Sequence, residues 1–425
     1  MIFSPKSKAV FICLALLVNT NIAWSNEPET GILLSSLIEE ALEKNPQIKQ
    51  FQSSWQAVET VVPQVGAWMD PRVNVNIMNI PARTFDLSRE PMTGKQVLVM
   101  QQIPFPGITG LKEDISEQSA FQAENYFKDI RNNVIYQLKT SYYSLFYIDK
   151  AVEITQKNKA LIEGFVQIAE SKYATGQGLQ QDVLKAQVEL SKLLERLIIL
   201  RRMRTSFQAK INTLLDRDTE TPIGRLAGVT RKAFDYSVEE LQKMALSGRP
   251  MIQALDLGVQ KAQLSHELAK KDYWPSFNIG LGYSQREDRR DFISGMFSIS
   301  LPIFAGRKQS KKVQQTRFEI NAATERFNTV KNEIYFEVSD LYAKIEQNTE
   351  LLPLFSEGII PQASQSLQSA IAGYQVNKVD FLTLLDNQLT LFNYEIDYYR
   401  VLSEYRQQIS RMEWIVGLEL MASLQ

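Results

Sequence analysis

The sequence predicts a mainly α-helical protein with a transmembrane β portion, laid out twice on one helix–strand–strand–helical-hairpin plan. Three observations predict it. The chain repeats itself: Leu37, Ala41, Leu42, Pro46 and Ile48 recur as Leu241, Ala245, Leu246, Pro250 and Ile252, and Pro71 recurs as Pro275, all 204 positions on. Glycine and proline are absent from Leu111 to Glu163, Leu179 to Thr221, Arg307 to Leu352 and Tyr374 to Val416, which leaves room for very long helices. Between those stretches lie short alternating runs of strand character. A long period with only two copies is not a solenoid, which stacks several short units to bury a core. It implies one plan repeated about a pseudo-two-fold axis.

The chain begins with a secretory signature. Lys6 and Lys8 precede the apolar run Ala9–Val18, and Ala23-Trp24-Ser25 offers a small-x-small cleavage site. Residues 1–25 are therefore expected to be a signal peptide, cut near Ser25. The apolar run is too short for a spanning helix, which would be the other reading. The only cysteine, Cys13, falls inside this run. The mature chain would then carry no thiol and no disulfide framework. With 425 residues, 44% hydrophobic, and a net charge of −1, the composition gives no footing for nucleic acid.

The first repeat is expected to span 26–230, with strands about 72–79 and 96–103 and a helical hairpin about 108–215. The second spans 231–425, with strands about 276–284 and 293–301 and a hairpin about 306–416. Val73, Val75 and Ile77 alternate with Asn74 and Asn76, and Phe277, Ile279, Leu281 and Tyr283 alternate with Asn278, Gly280, Gly282 and Ser284. Each run approaches the roughly 9–11 residues that a tilted strand needs to cross a bilayer. In the first hairpin Ile130, Val134, Leu138, Tyr142, Leu145, Ile148 and Val152 step by three and four, the spacing of a helical apolar stripe. A helix of about 60 residues would reach roughly 90 Å. The turns at Tyr173-Ala174-Thr175-Gly176-Gln177-Gly178 and Tyr374-Gln375-Val376-Asn377 read as matching hairpin tips, with Asn377 standing where Gly176 stands. Trp68 and Trp274, beside Pro71 and Pro275, fit either interfacial anchors or core aromatics.

Four strands cannot close a barrel, and a sheet in lipid tolerates no open edge. Three copies pooling their strands would make an even-numbered, 12-stranded barrel of the bacterial outer-membrane kind, continued by a tube of helices. A plain antiparallel helical bundle is the alternative for the helices, and a soluble periplasmic coiled-coil scaffold is the alternative for the whole.

In these residues the chain resembles the TolC-type outer-membrane channels of Gram-negative tripartite efflux and secretion systems. The likeness rests on the duplicated Leu-x3-Ala-Leu-x3-Pro-x-Ile motif and on Ile103-Pro104-Phe105-Pro106-Gly107 with Leu301-Pro302-Ile303-Phe304-Ala305-Gly306. It rests also on the tips, Tyr173-x2-Gly176 with Leu184 and Tyr374-x2-Asn377 with Leu385 and Asp386. It implies a homotrimer with an outer-membrane barrel, a long periplasmic α-helical barrel, and docking to a periplasmic adaptor and an inner-membrane resistance-nodulation-division pump. The tips Tyr173, Gly176, Gly178, Tyr374 and Asn377 would face the adaptor. Asp70-Pro71, Asn79-Ile80-Pro81, Arg89-Glu90-Pro91-Met92-Thr93 and Gln101-Gln102-Ile103-Pro104-Phe105-Pro106-Gly107 resemble the subgroup paired with heavy-metal exporters; a multidrug, solute or type I secretion duct is the alternative cargo reading. The family narrows its periplasmic end with acidic residues. Asp386 matches such a position, Thr383 stands where another acid is often found, and Asp380 and Asp182 lie nearby. Rings of like charge would favour cations, while Asp380 and Asp182 equally fit the role of solvated acids at helix starts.

Nothing in the sequence points to an enzyme, a cofactor or a resident metal. His266 sits between Ser265 and Glu267 on a polar helix, and no zinc motif or phosphate-binding loop occurs. Met78, Met92 and Met100 could touch a soft ion, or simply fill irregular gaps as thioethers do.

Overall fold

The structure, a computed structural model, describes residues 31–88 and 90–420. The expected signal peptide, with Cys13, lies outside the described residues, as does Arg89.

The first half runs α1 (Leu34–Lys44), α2 (Pro46–Glu59), α3 (Val62–Gly66), β1 (Arg72–Met78), β2 (Gly94–Ile103), α4 (Ile108–Ala174) and α5 (Gln180–Leu214). The second runs α6 (Val238–Gly248), α7 (Pro250–Lys271), β3 (Ser276–Gln285), β4 (Phe292–Ser300), α8 (Gln309–Pro353), a π-helical segment (Leu354–Ile359), α9 (Ile360–Gln375) and α10 (Phe381–Val416). The repeated Pro-x-Ile marks a helix start in both halves. Pro46 and Pro250 occupy the first turn, where a missing N–H costs nothing. Ile48 and Ile252 are then 4% and 3% exposed. Asn45 caps α2 by accepting from the Gln47 and Ile48 N–H groups at 2.9 and 3.2 Å, and its own amide donates to the Leu214 carbonyl at 2.8 Å. The N-terminal helices are thereby tied to the end of the first hairpin.

Helix α4 is continuous for 67 residues, about 100 Å at 1.5 Å per residue. Its stripe is buried where it meets the other long helices: Val134, Leu138 and Leu145 are 0% exposed. Around it one apolar core gathers Leu37 and Ala41 of α1, Leu241 and Ala245 of α6, and Tyr405, Ile409 and Met412 of α10. Buried hydroxyls find partners there, Tyr142 on the Ile32 carbonyl at 3.0 Å and Tyr405 on the Lys232 carbonyl at 2.6 Å. At Gly248 and Gly417 the ends of α6 and α10 meet backbone to backbone: a Cβ on Gly417 would fall 2.4 Å from the Gly248 carbonyl oxygen, and φ there is +76°. A second apolar cluster, nearer the tips, joins Ile162, Phe165 and Ala169 of α4 to Leu367, Tyr374, Phe381, Leu384 and Leu385.

The four strands form one antiparallel sheet in the order β1-β2-β3-β4. Among the described residues no helix is long and apolar enough to cross a membrane.

Candidate functional site: a two-faced open sheet and paired hairpin tips

Register sorts the sheet's residues into two faces, because paired residues on neighbouring strands point the same way. Val73–Val99–Leu281 and Val75–Val97–Tyr283–Ile293 are two rows of one face. That face is apolar and open: Val75 is 72% exposed, Ile293 79% and Phe297 68%. The other face carries Asn74–Leu98–Gly282–Ser294 and Asn76–Gln96–Ser284–Phe292. Its side chains are laced together, Asn76 to Gln96 at 3.4 Å, Gln96 to Ser294 at 3.4 Å and Asn278 to Ser298 at 3.2 Å. The polar face is the more enclosed, with Ser284 buried and Gln96 half-buried. Among the described residues β1 and β4 are each paired on one side only. Such edges bind another strand or stay in water.

Trp68 and Trp274 sit where the strands begin, each 58% exposed, so neither is a core aromatic. Trp274 stacks on Phe105 with ring centroids 4.9 Å apart. Met78 and Met100 belong to opposite ends of the β1–β2 pair, since Met78 pairs with Gly94 and Met100 with Arg72. Six residues along a strand separate those rows by roughly 20 Å, so Met78, Met92 and Met100 make no single site. His266 is half-buried and bonded to Thr316 Oγ1 at 2.8 Å. Among the described residues no group of three or more His, Cys, Asp or Glu could hold a metal.

The tips share one backbone design. Gly176 and Asn377 both adopt positive φ, +73° and +57°. Gln177 N–H donates to the Lys172 carbonyl and Lys378 N–H to the Gly373 carbonyl, both at 2.8 Å, the five-residue closure of a left-handed helix end. The side chains depart from this symmetry. Tyr173 is 49% exposed while Tyr374 is 8%, and Leu184 is 55% exposed while Leu385 is 2%. The residues flanking the second tip, Tyr374 and Leu385, are buried in the cluster shared with the first hairpin, while residues 375–378 stay exposed; Tyr173 and Leu184 on the first hairpin have no such cover among the described residues.

The four acidic-end positions separate by surroundings. Asp380 is the N-cap of α10, accepting from the Thr383 N–H at 2.7 Å, and that bond holds its carboxyl below the usual range. Asp182, half-buried in the first turn of α5, lies close enough to Tyr374 that its charge adds to burial in pushing that phenol upward. Thr383 and Asp386 are exposed on one face of α10, opposite buried Phe381, Leu384, Leu385 and Gln388. Gly178 closes the first tip, half-buried against Lys172 and Tyr173.

Lys172 was not singled out by sequence reasoning. It crosses from the first tip to the second, donating to Asn377 Oδ1 at 2.9 Å and to the Tyr374 carbonyl at 3.3 Å, with its ammonium 4.0 Å from the Tyr374 ring centroid. The one signal available was a base in the last turn of α4, which suits the helix dipole anyway. A buried Gln388–Asn158 bond of 2.6 Å makes a second link between the hairpins.

Comparison with known proteins agrees with this geometry. The family model described as outer membrane efflux protein matches residues 37–216 and 241–418. The cobalt-zinc-cadmium resistance protein CzcC of Cupriavidus metallidurans is 22% identical over 323 residues, covering 74% of this chain and 75% of its own. The outer membrane efflux protein BepC of Brucella suis biovar 1 is 20% identical over 316 residues, covering 72% of this chain and 68% of its own. The crystal structure of VceC from Vibrio cholerae superposes with a TM-score of 0.78 at 15% identity, covering 91% of this chain and 97% of that one. At that identity the likeness is one of fold.

Proposed function

This chain belongs to the outer membrane efflux protein family, and from that premise we propose that three copies assemble into a passive exit duct fed by a periplasmic adaptor and an inner-membrane resistance-nodulation-division pump. The observation that carries the trimer is the sheet: one apolar exposed face, one polar enclosed face and two half-paired edges. Consecutive strands alternate in direction, so β1 of a second copy meets β4 antiparallel, and apolar and polar faces continue across the seam without a flip. Closure removes every edge and leaves lipid outside and water inside. The uncovered flank of α5, with Leu184, Val188, Ile198 and Ile199 all exposed, offers helix surface for the same neighbours.

The division into repeats 26–230 and 231–425, behind a signal peptide at 1–25, belongs to this reading. The tips at Tyr173, Gly176, Gly178, Tyr374 and Asn377 would meet the adaptor, and Trp68 and Trp274 would anchor in the inner lipid interface. Asp386, with Thr383 one turn before it, forms the aperture ring; Asp380, committed to its cap, contributes less. No catalytic residue or cofactor is assigned. The cargo proposed is heavy-metal cations, supported by the name of CzcC; the name of BepC supports a general efflux duct instead. The soluble scaffold reading has no support in the family match.

The processed protein is expected to need detergent and to cross-link as a trimer; a soluble monomer would end the proposal. In planar bilayers Asp386→Ala should raise single-channel conductance, and an unchanged conductance removes Asp386 from the aperture. A deletion strain hypersensitive to cobalt, zinc or cadmium supports the metal cargo, and one sensitive only to organic drugs overturns it.

A further inference from the structure

The β3–β4 loop, Arg286–Asp291, has three bases and three acids and looks electrically neutral in sequence. The structure sorts two of these charges onto opposite faces of the sheet. Asp291 turns to the apolar face, where it accepts from the Tyr283 hydroxyl and, through its other oxygen, from the Arg286 backbone N–H at 3.0 Å. Tyr283 belongs to the Val75–Val97–Tyr283–Ile293 row of that face. The Arg286 guanidinium goes the other way. It lies 3.9 Å from the ring centroid of Phe292, which pairs with Ser284 on the polar face. Nε and Nη2 donate to the Arg290 carbonyl at 3.0 and 2.8 Å, and Nη1 donates to the Pro91 carbonyl at 3.3 Å. A cation seated on an aromatic face and bonded to carbonyls of two loops is fixed in place and still charged.

We propose that Arg286, held over Phe292 at the loop end of the sheet, forms a ring of fixed positive charge at the outer mouth of the duct and biases that mouth toward anions. The inference rests on the barrel reading, which makes the polar face the lumen. The end of the sheet that carries the 79–93 and 286–291 loops is the one remote from every helix, and so the external one. Glu287, Asp288, Arg289 and Arg290 stand exposed in the turn. Asp291, bonded to the Arg286 backbone N–H and the Tyr283 hydroxyl, is drawn to the lipid side. Opposite charges would then mark the two ends of the conduit, carboxylates of Asp386 at the helical tips and guanidinium groups at the exit.

The test is the zero-current potential of reconstituted trimers across a gradient of potassium chloride, at about 0.1 M on the concentrated side, where the screening length is about 10 Å. Arg286→Gln should shift the potential toward cation preference, and Arg286→Glu should shift it further. Arg286→Lys should leave it near wild type, which separates charge from loop packing. The differences should shrink at about 1 M salt, where screening falls to about 3 Å. If a glutamine or glutamate variant fails to assemble, Phe292→Leu, which frees the guanidinium from its ring, should still weaken the anion preference. Wild-type channels with the same potential as the Arg286→Gln, Arg286→Glu or Phe292→Leu channels would overturn this inference and leave the barrel intact. Wild-type protein that forms no channel would overturn the barrel reading, and this inference with it.

Discussion

Single side chains decide what the tips can do. Asp380 and Asp386 are six residues apart on one helix, yet the first is spent on the Thr383 N–H and the second is open to solvent. Lys172 joins the two tips through one side-chain oxygen, one carbonyl and one ring. Hydrogen bonds to charged groups contribute about 1.5–3 kcal/mol when shielded from water, and the half-exposed setting of Lys172 puts it near or below the lower bound. Lys172→Ala should therefore speed amide hydrogen exchange in Thr175–Leu179 and Val376–Asp380 by up to about tenfold, with little effect near Leu138. Equal exchange in both proteins would mean that the link carries no stability. Glu40 offers a pH test. Its carboxyl is held below the usual value of 4.5 mainly by the hydrogen bond from Arg217, with Lys44 assisting and burial opposing. A lowered carboxyl stabilises the fold above its unfolded value and loses that contribution as pH falls through the folded one. Thermal stability of the wild type should thus fall on acidification below about pH 4.5, and Glu40→Gln should be less stable near neutrality but lose less over that range.

Among the elements, the two ascending arms of the hairpins differ although the sequence repeats. Counted back from the paired tyrosines, Pro353, Gly358 and Pro361 fall where the first half has Val152, Lys157 and Ala160. A proline inside a helix lacks its N–H and crowds the carbonyl four residues back. The chain relieves this with one widened turn, Leu354–Ile359, before α9 resumes. Helix α4 keeps Gly110 and Gly164 but has no proline, and runs unbroken. Amides of Leu354–Ile360 should exchange faster than those of Glu153–Lys159, and equal protection in the two arms would show that the widened turn is as firm as an ordinary one. The tips carry the opposite lesson. Gly176 and Asn377 differ in sequence and converge in backbone, since both tolerate the left-handed region that the closure demands.

At the scale of the whole molecule, the decisive property is a two-faced, four-stranded sheet whose edge strands β1 and β4 are half-paired among the described residues. Leu281 is 65% exposed in the middle of the apolar face, and Ser294 is half-buried on the polar one. An arginine on a lipid-facing strand position costs about 2–4 kcal/mol at mid-membrane and little where it meets water. Leu281→Arg should cut the heat resistance of the assembled particle on gels, while Ser294→Arg should leave it standing. The reverse order would mean that the faces have been exchanged.

The sequence by itself determined the class of fold. Alternating strands, long stretches free of glycine and proline, and the recurrence of Leu37, Ala41 and Pro46 are local patterns, and period and turn chemistry are local physics. It also placed Asp386 and Thr383 on one helix beyond a tip. It could not tell Tyr173 from Tyr374 or Leu184 from Leu385, because equivalent residues acquire different burial only when two hairpins pack against each other. Nor could it find Lys172 meeting Asn377 across 205 positions, or Arg286 and Asp291 parting to opposite faces. Those are decisions of register and packing, made by which side of a pleat faces inward. Side chains far apart along the chain have no other way to learn whether they are neighbours.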